Sequence, residues 1–100
     1  MKIAILPSAG GDLADGFCFY KRQREGLGNY FQASLFSDID SLHLYSGIHL
    51  KCFGYHRLLS KRFPFAVYYD QEGQTIRIWA VLDCRQDPDF IRRRLAGLRR

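Results

Sequence analysis

Residues 75–82 read Thr-Ile-Arg-Ile-Trp-Ala-Val-Leu, and the reading of this stretch decides the fold. A period of two puts successive side chains on opposite faces of a pleated strand. Ile76, Ile78, Ala80 and Leu82 are expected on one face, with Thr75, Arg77, Trp79 and Val81 on the other. Just upstream, Glu72-Gly73 marks a turn, and before it Tyr55–Ser60 and Phe63–Tyr69 read as one long strand or two, interrupted near Pro64. Proline has no N–H, so the interruption is expected at a sheet edge or a bulge. Ile48–Phe53 is a further candidate strand, closed by Gly54. Downstream, Asp87 and Pro88 open a short final helix, one as its cap and the other at its first position.

Toward the N-terminus the period lengthens. Lys2–Leu6 is a short apolar strand stopped by Pro7. Ser8 is a candidate N-cap for the next helix, and Asp12 and Asp15 fall early in it, where the macrodipole favours anions. Leu13, Phe17 and Tyr20 form an i, i+4, i+7 stripe, and Lys21, Arg22 and Arg24 occupy the last turns before Gly26-Leu-Gly28 breaks the helix. Asn29 is a candidate cap for a second helix running to about Leu44, striped by Phe31, Leu35, Ile39 and Leu42 and ended by Ser46-Gly47. So short a connection predicts an antiparallel helix pair. The expected architecture is α+β: a short N-terminal strand, an antiparallel helix pair on one face of a mostly antiparallel sheet, and a short C-terminal helix. Residues 1–100 are expected to form one domain, without internal repeats or linkers.

The composition, 47% hydrophobic with 15% aromatic, excludes a disordered chain. No stretch approaches the ~20 apolar residues of a membrane span, and Ile3–Leu6 is too short for a secretory segment of roughly 7–15 residues, so a cytoplasmic protein with no membrane partner is expected. Cys18, Cys52 and Cys84 are odd in number and widely spaced, which argues against a disulfide framework and agrees with a reducing compartment. The net charge of +5 is uneven: residues 1–50 carry four cations and five anions, whereas residues 51–100 carry eleven cations and five anions. Arginine supplies eleven of the fifteen cations, and its planar fork suits phosphate and carboxylate. The expectation is a near-neutral helical cover over a basic sheet that binds an acidic partner.

Most chemical motifs fail. Gly26 and Gly28 lack the rest of a dinucleotide fingerprint and follow a helix instead of a strand, so they read as a turn pair. No Gly-Lys-Ser/Thr triplet supports a phosphate loop, and nothing around Ser46 resembles a nucleophile elbow. His49, Cys52 and His56 are ligand types, but in an extended stretch His49 and Cys52 point to opposite faces, so no metal site and no cofactor is expected. Glu25 and Glu72, both near turns, do not make a paired-carboxylate site. What remains is a basic and aromatic set: Tyr55, Arg57, Lys61, Arg62, Arg77 and Arg85, with Trp79 and Tyr68 or Tyr69 nearby. Cations on neighbouring strands make a groove for a phosphate backbone, and aromatic faces offer stacking. Phe63, Phe65, Val67 and Tyr69 are better read as core. Arg92, Arg93, Arg94, Arg99 and Arg100 form a basic tail that meets a partner's acidic segment, or else simply complements a helix end.

The run Gly54-Tyr-His-Arg-Leu-Leu-Ser-Lys-Arg-Phe-Pro-Phe-Ala-Val-Tyr-Tyr69, then Ile76–Leu82 and Asp83-Cys-Arg-Gln-Asp-Pro88, resembles the RelE/ParE toxins of bacterial type II toxin–antitoxin modules. Gly26-Leu-Gly-Asn-Tyr-Phe31 and the element order resemble them too, over nearly the whole chain. The resemblance implies a growth-inhibiting toxin and a cognate antitoxin, encoded adjacently, that wraps the toxin and through which alone operator DNA is bound. It leaves two targets: RelE-type members cleave mRNA on the ribosome, and ParE-type members poison DNA gyrase. Arg57 and Arg85 match positions where ribonuclease members hold phosphate, and Lys61 adds charge, so these three would be the catalytic set of a nuclease. Tyr55, Arg62, Arg77, Arg92 and Arg93 would bind the target or nucleic acid. Cleavage by a 2′-oxygen also needs a proton acceptor and donor. Arginine does not serve as a base. The glutamate and C-terminal tyrosine of some nuclease members are missing, since Asp83 stands near the last strand and no tyrosine follows Tyr69. A ParE-like toxin is therefore slightly favoured over a RelE-like endoribonuclease, with a non-toxic binding protein on the same fold as the third reading.

Overall fold

A computed structural model describes residues 1–99; Arg100 of the basic tail lies outside the described residues. The chain runs β1 (Lys2–Ile5), α1 (Pro7–Gln23), α2 (Leu27–Asp40), α3 (Leu42–Tyr45), β2 (Lys51–Cys52), β3 (Tyr55–Leu59), β4 (Phe65–Glu72), β5 (Thr75–Asp83) and α4 (Pro88–Gly97). The strands form one sheet in the order β1-β5-β4-β3-β2, antiparallel except for the parallel pair β1–β5. Asp87 caps α4, its Oδ1 accepting from Asp89 N–H at 2.9 Å, and Pro88 takes the first position as expected.

The α+β class and the element order follow the sequence, but the helices are not confined to one face. Leu13, Tyr20, Phe31, Leu35 and Ile39 of α1 and α2 pack on Val67, Tyr69, Ile76 and Ile78. On the opposite face Ile91 and Leu95 of α4 pack on Tyr55, Ala66, Tyr68 and Leu82. The reason lies in β4, where Phe65–Tyr69 are all buried without alternation. A strand buried on both sides needs cover on both sides.

The alternation read from β5 is interrupted. Tyr69 pairs with Ile78 and Tyr68 with Ala80, which leaves Trp79 as the extra residue of a β-bulge. Ile76 and Ile78 face the helix pair, but past the bulge Val81 takes that face while Ala80 and Leu82 turn to α4. Period-two reading assigns Val81 to the wrong side because one inserted residue leaves no mark in the apolar pattern. Pro64 is neither at an edge strand nor in a bulge: it lies in the β3–β4 loop, where its carbonyl accepts from Cys84 N–H at 2.8 Å.

β1 ends at Ile5, opposite Ile78, so the outer edge of β5 runs on without a neighbouring strand. The start of α1 closes it. Leu6 N–H donates to Ile78 O at 3.0 Å, Ser8 Oγ donates to Trp79 O at 2.6 Å, and Asp12 Oδ2 accepts from Val81 N–H at 3.0 Å. Ser8 is thus inside the helix and not its cap, and neither Asp12 nor Asp15 lies in the first turn. Both residues were read as helix-terminus features; Ser8 and Asp12 serve a sheet edge that only the tertiary fold creates.

Gly26, at φ +81°, carries the chain from α1 into α2 through a left-handed turn that favours glycine. The second helix therefore begins at Leu27, with Asn29 inside it and not capping it, and it stops at Asp40, before the separate turn α3. Its stripe of Phe31, Leu35, Ile39 and Leu42 is buried as expected, while α1 buries Leu13, Gly16 and Tyr20 and leaves Phe17 half-buried. The two helices cross closely: a Cβ on Gly16 would stand 2.4 Å from the Phe31 ring, and one on Gly28 2.9 Å from the Phe17 carbonyl oxygen. Gly28 is a packing residue, not the second half of a turn pair.

The expected strand Ile48–Phe53 contracts to Lys51–Cys52. Gly47 N–H donates to the buried Tyr69 hydroxyl at 3.0 Å, and His49 Nδ1 hydrogen-bonds the same oxygen, so this stretch is drawn over the helix-pair face. The chain then reverses through Phe53 and Gly54, at φ 55° and 87°, the left-handed pair that suits a two-residue hairpin.

Candidate functional site

Arg57 sits on β3 opposite Tyr68, on the α4 face of the sheet. It is half-buried, yet its guanidinium has only a weak contact, Nη2 to Cys84 Sγ at 3.8 Å, and its buried Nε has no hydrogen-bond partner among the described residues. Burial raises the Tyr68 pKa even though Arg57 pulls the other way, so this hydroxyl keeps its proton. His56, next along the strand, faces the other side, where its ring stacks on Tyr69 with centroids 5.1 Å apart and its Nδ1 lies 2.7 Å from His49 O. Burial, then the neighbouring His56, lowers the His49 pKa. His56 is thus on the opposite face from Arg57, whereas His49 lines one groove with Arg57, Lys51 and Cys52. Cys52 packs with the α4-face cluster, whereas His49, outside the two-residue strand β2, bonds Tyr69 through Nδ1.

Tyr55 and Arg77 are already occupied. Tyr55 is buried and its hydroxyl donates to Leu95 O at 3.0 Å. Arg77 donates to both oxygens of Asp70, at 2.8 and 2.7 Å, reaches Glu72 at 2.7 Å, and lies over the Trp79 ring. Arg99 completes the group, 4.1 Å above the Tyr55 ring centroid and 2.8 Å from Asp70 Oδ2. Burial pushes the Asp70 carboxyl up, but the guanidiniums of Arg77 and Arg99 outweigh it and hold it below the usual carboxylate range. Sequence reading missed Asp70 and Arg99 as partners, because the 29-residue separation carries no local pattern.

Arg85 is likewise committed. Its Nε and Nη2 grip Asp83 at 3.0 and 2.7 Å, and this fork depresses the Asp83 carboxyl. Arg92 pairs with Asp89 at 3.5 Å, and Arg94 reaches Asp12 at 3.0 Å. Burial raises the Asp12 pKa despite that arginine and the Val81 N–H. Among the described residues Lys61 and Arg62, exposed in the β3–β4 loop, and Arg93, exposed on α4, have no carboxylate within ion-pair distance. The residues singled out from sequence therefore divide: Arg57, Lys61, Arg62 and Arg93 are free to meet a partner, whereas Tyr55, Arg77, Arg85 and Arg92 are held by this chain. Asp12, Asp15, Asp83, Gln86, Phe90 and Arg94 line a cleft of about 370 Å³ between α1, the end of β5 and α4. Chemically, the Arg57 region offers cations, with His49 and Cys52 lining the same groove and no carboxylate among its lining residues.

No protein-family model matches the sequence, and no curated protein matches it. Among solved structures, a chain described as the chromosomal ParDE TA (toxin–antitoxin) system from P. aeruginosa superposes with a TM-score of 0.71. The match covers 81% of this chain and 92% of that one, at 18% identity. This is a ParE-like fold. At that identity the likeness is one of architecture. Within the described residues of this ParE-like fold, no helix is long and apolar enough to cross a membrane.

Proposed function

We propose that the chain is the toxin of a type II toxin–antitoxin module, growth-inhibiting and neutralised by a cognate antitoxin through which alone it meets operator DNA. The observation that carries this reading is the superposition on a ParDE-system chain over 92% of that chain's length. A cytoplasmic setting goes with it. Within that reading a ParE-like gyrase poison is favoured over a RelE-like nuclease. In a nuclease Arg57 and Arg85 would hold the scissile phosphate, but Arg85 is paired with Asp83 and the ring of His56, next to Arg57, faces the other side of the sheet. Phosphodiester cleavage needs a proton acceptor beside its phosphate-binding cations. His49, which lines the groove with Arg57, has its Nδ1 engaged by the Tyr69 hydroxyl, and no carboxylate lines that groove among the described residues, so recognition by binding fits better than cleavage.

The test is induced expression in bacterial cells, with growth and mRNA integrity followed together. Growth arrest with intact mRNA is expected, relieved when the gene adjoining this one is co-expressed. Unimpaired growth overturns the toxin reading, and cleaved mRNA that becomes intact on Arg57→Ala turns the choice to the nuclease.

A further inference from the structure

Residues 46–50 join α3 to β2 as a strap laid across the helix-pair face of the sheet. Ile48 and Leu50 are 71% and 87% exposed, so the strap buries little apolar surface of its own. Hydrogen bonds hold it instead. Gly47 N–H donates to the Tyr69 hydroxyl at 3.0 Å, and His49 Nδ1 bonds the same oxygen. His56 Nδ1 lies 2.7 Å from His49 O, and Leu50 O accepts from Arg57 N–H at 3.0 Å. The centre of the strap is thus fastened to the stacked rings of Tyr69 and His56. No strap residue belongs to the core that α1, α2, β4 and β5 build around Phe31, Val67 and Ile78, so the strap can leave while that core stays.

Tyr69 is fully buried, and burial raises its pKa although the N–H groups of Gly47 and His49 pull the other way, so the hydroxyl keeps its proton. While its oxygen accepts from Gly47, its O–H needs an acceptor, and His49 Nδ1 serves as one only in the neutral ring. A carbonyl accepts and never donates, so His56 Nδ1 is the donor to His49 O whether or not that ring is charged. Protonating His49 at Nδ1 sets two donors face to face and leaves the buried O–H without a partner. The surroundings do not offset the new charge. Lys51, Cys52 and Arg57 line the groove beside His49, while His56 meets the strap from β3 and Tyr69 from β4. At the α2–α3 junction Asp40 is paired with His43 at 3.7 Å. No carboxylate lines the groove among the described residues, and burial, then His56, lower the His49 pKa.

We propose that residues 46–50 form an acid-released strap, in which protonation of His49 breaks its bond to Tyr69 and lets the Gly47–Leu50 backbone leave the sheet. One proton is taken up on His49 Nδ1 per opening, and no covalent bond changes. In the released strap His49 regains the ordinary histidine value of about 6.5, above its value in the closed form. The bond therefore contributes fully above that pH and is lost as pH falls below it. The device stands on the strap and the sheet alone, so it survives or fails independently of toxicity.

The test is amide hydrogen exchange of the full chain between pH 7.5 and 5.5, read as protection factors corrected for the intrinsic pH dependence of exchange. Gly47 and Arg57, whose N–H groups tether the strap, should be less protected than Val67 and Ile78 at every pH. Their protection should fall severalfold across the range, up to about tenfold, the limit for one proton over one pH unit below 6.5. His49→Asn keeps an uncharged polar group near the Nδ1 position and should hold its protection at pH 5.5. Tyr69→Phe removes the anchoring hydroxyl and should show low, pH-independent protection at Gly47 already at pH 7.5. Protection of the natural chain that does not change with pH would overturn the proposal. So would an acid loss that persists in His49→Asn, which moves the sensor to His56, or Gly47 protection equal to that of Val67, which means the strap leaves only when the molecule unfolds.

Discussion

Asp70 shows how one residue ties distant parts of the chain. Its carboxylate accepts from Arg77 on the neighbouring strand and from Arg99 beyond α4, and only 16% of its side chain is exposed. Because the folded carboxyl sits below its ordinary value, this group stabilises the fold above about pH 4 and that contribution is lost as acid protonates it. Urea unfolding of the natural chain should therefore show stability falling between about pH 5 and pH 2. Asp70→Asn should be destabilised at pH 7 by roughly 1–3 kcal/mol and should fall less steeply with acid. An unchanged slope would mean that Asp83, depressed by Arg85, carries the acid dependence instead. His49 acts in the same direction at higher pH: its lowered pKa makes the fold favour the neutral ring, so stability declines as pH drops below about 6.5. His49→Gln, read by the same unfolding measurement between pH 8 and pH 5.5, should remove that decline (roughly the span of a histidine titration).

Two junctions between elements set the geometry of the fold. The crossing of α1 and α2 depends on Gly16 and Gly28, each too close to its neighbour for a Cβ. Gly28→Ala drives the new methyl toward a backbone oxygen that cannot swing away, and should cost about 1–3 kcal/mol, seen as a lowered Tm. The second junction is the clasp at the β5 edge, where Asp12 takes the Val81 N–H and Arg94 together. Asp12→Ala leaves both donors without their acceptor and should cost about 1–3 kcal/mol; Asp12→Asn keeps an oxygen for Val81 and should cost less. Equal losses for the two variants, in chemical unfolding, would say the clasp depends on charge and not on the hydrogen bond. These elements were unequally legible. The α2 stripe and the α4 cap announce themselves because neighbours within a turn create them. The Trp79 bulge, the Gly28 contact and the Ser8 and Asp12 bonds arise from residues brought together across the chain, so local periodicity assigns each of them a different and wrong role.

At the scale of the molecule, the charge asymmetry read from the sequence follows the fold: residues 1–50 supply β1 and the helix pair, and residues 51–100 supply the rest of the sheet and α4. The expectation of a single basic binding surface does not survive in that form. Half of the residues that suggested it are neutralised internally, and the remaining cations gather at Arg57, at the β3–β4 loop and on the outer side of α4. Sequence told which residue types were available, but pairing was invisible, since each ion pair with Asp70 or Asp12 joins separate elements. The proposed toxin acts by binding and not by cutting RNA. The most direct measurement of this is plasmid topology after the chain is induced in cells, resolved on a chloroquine gel. Loss of negative supercoiling within the period of growth arrest is the expected result. Normal supercoiling in growth-arrested cells would contradict it.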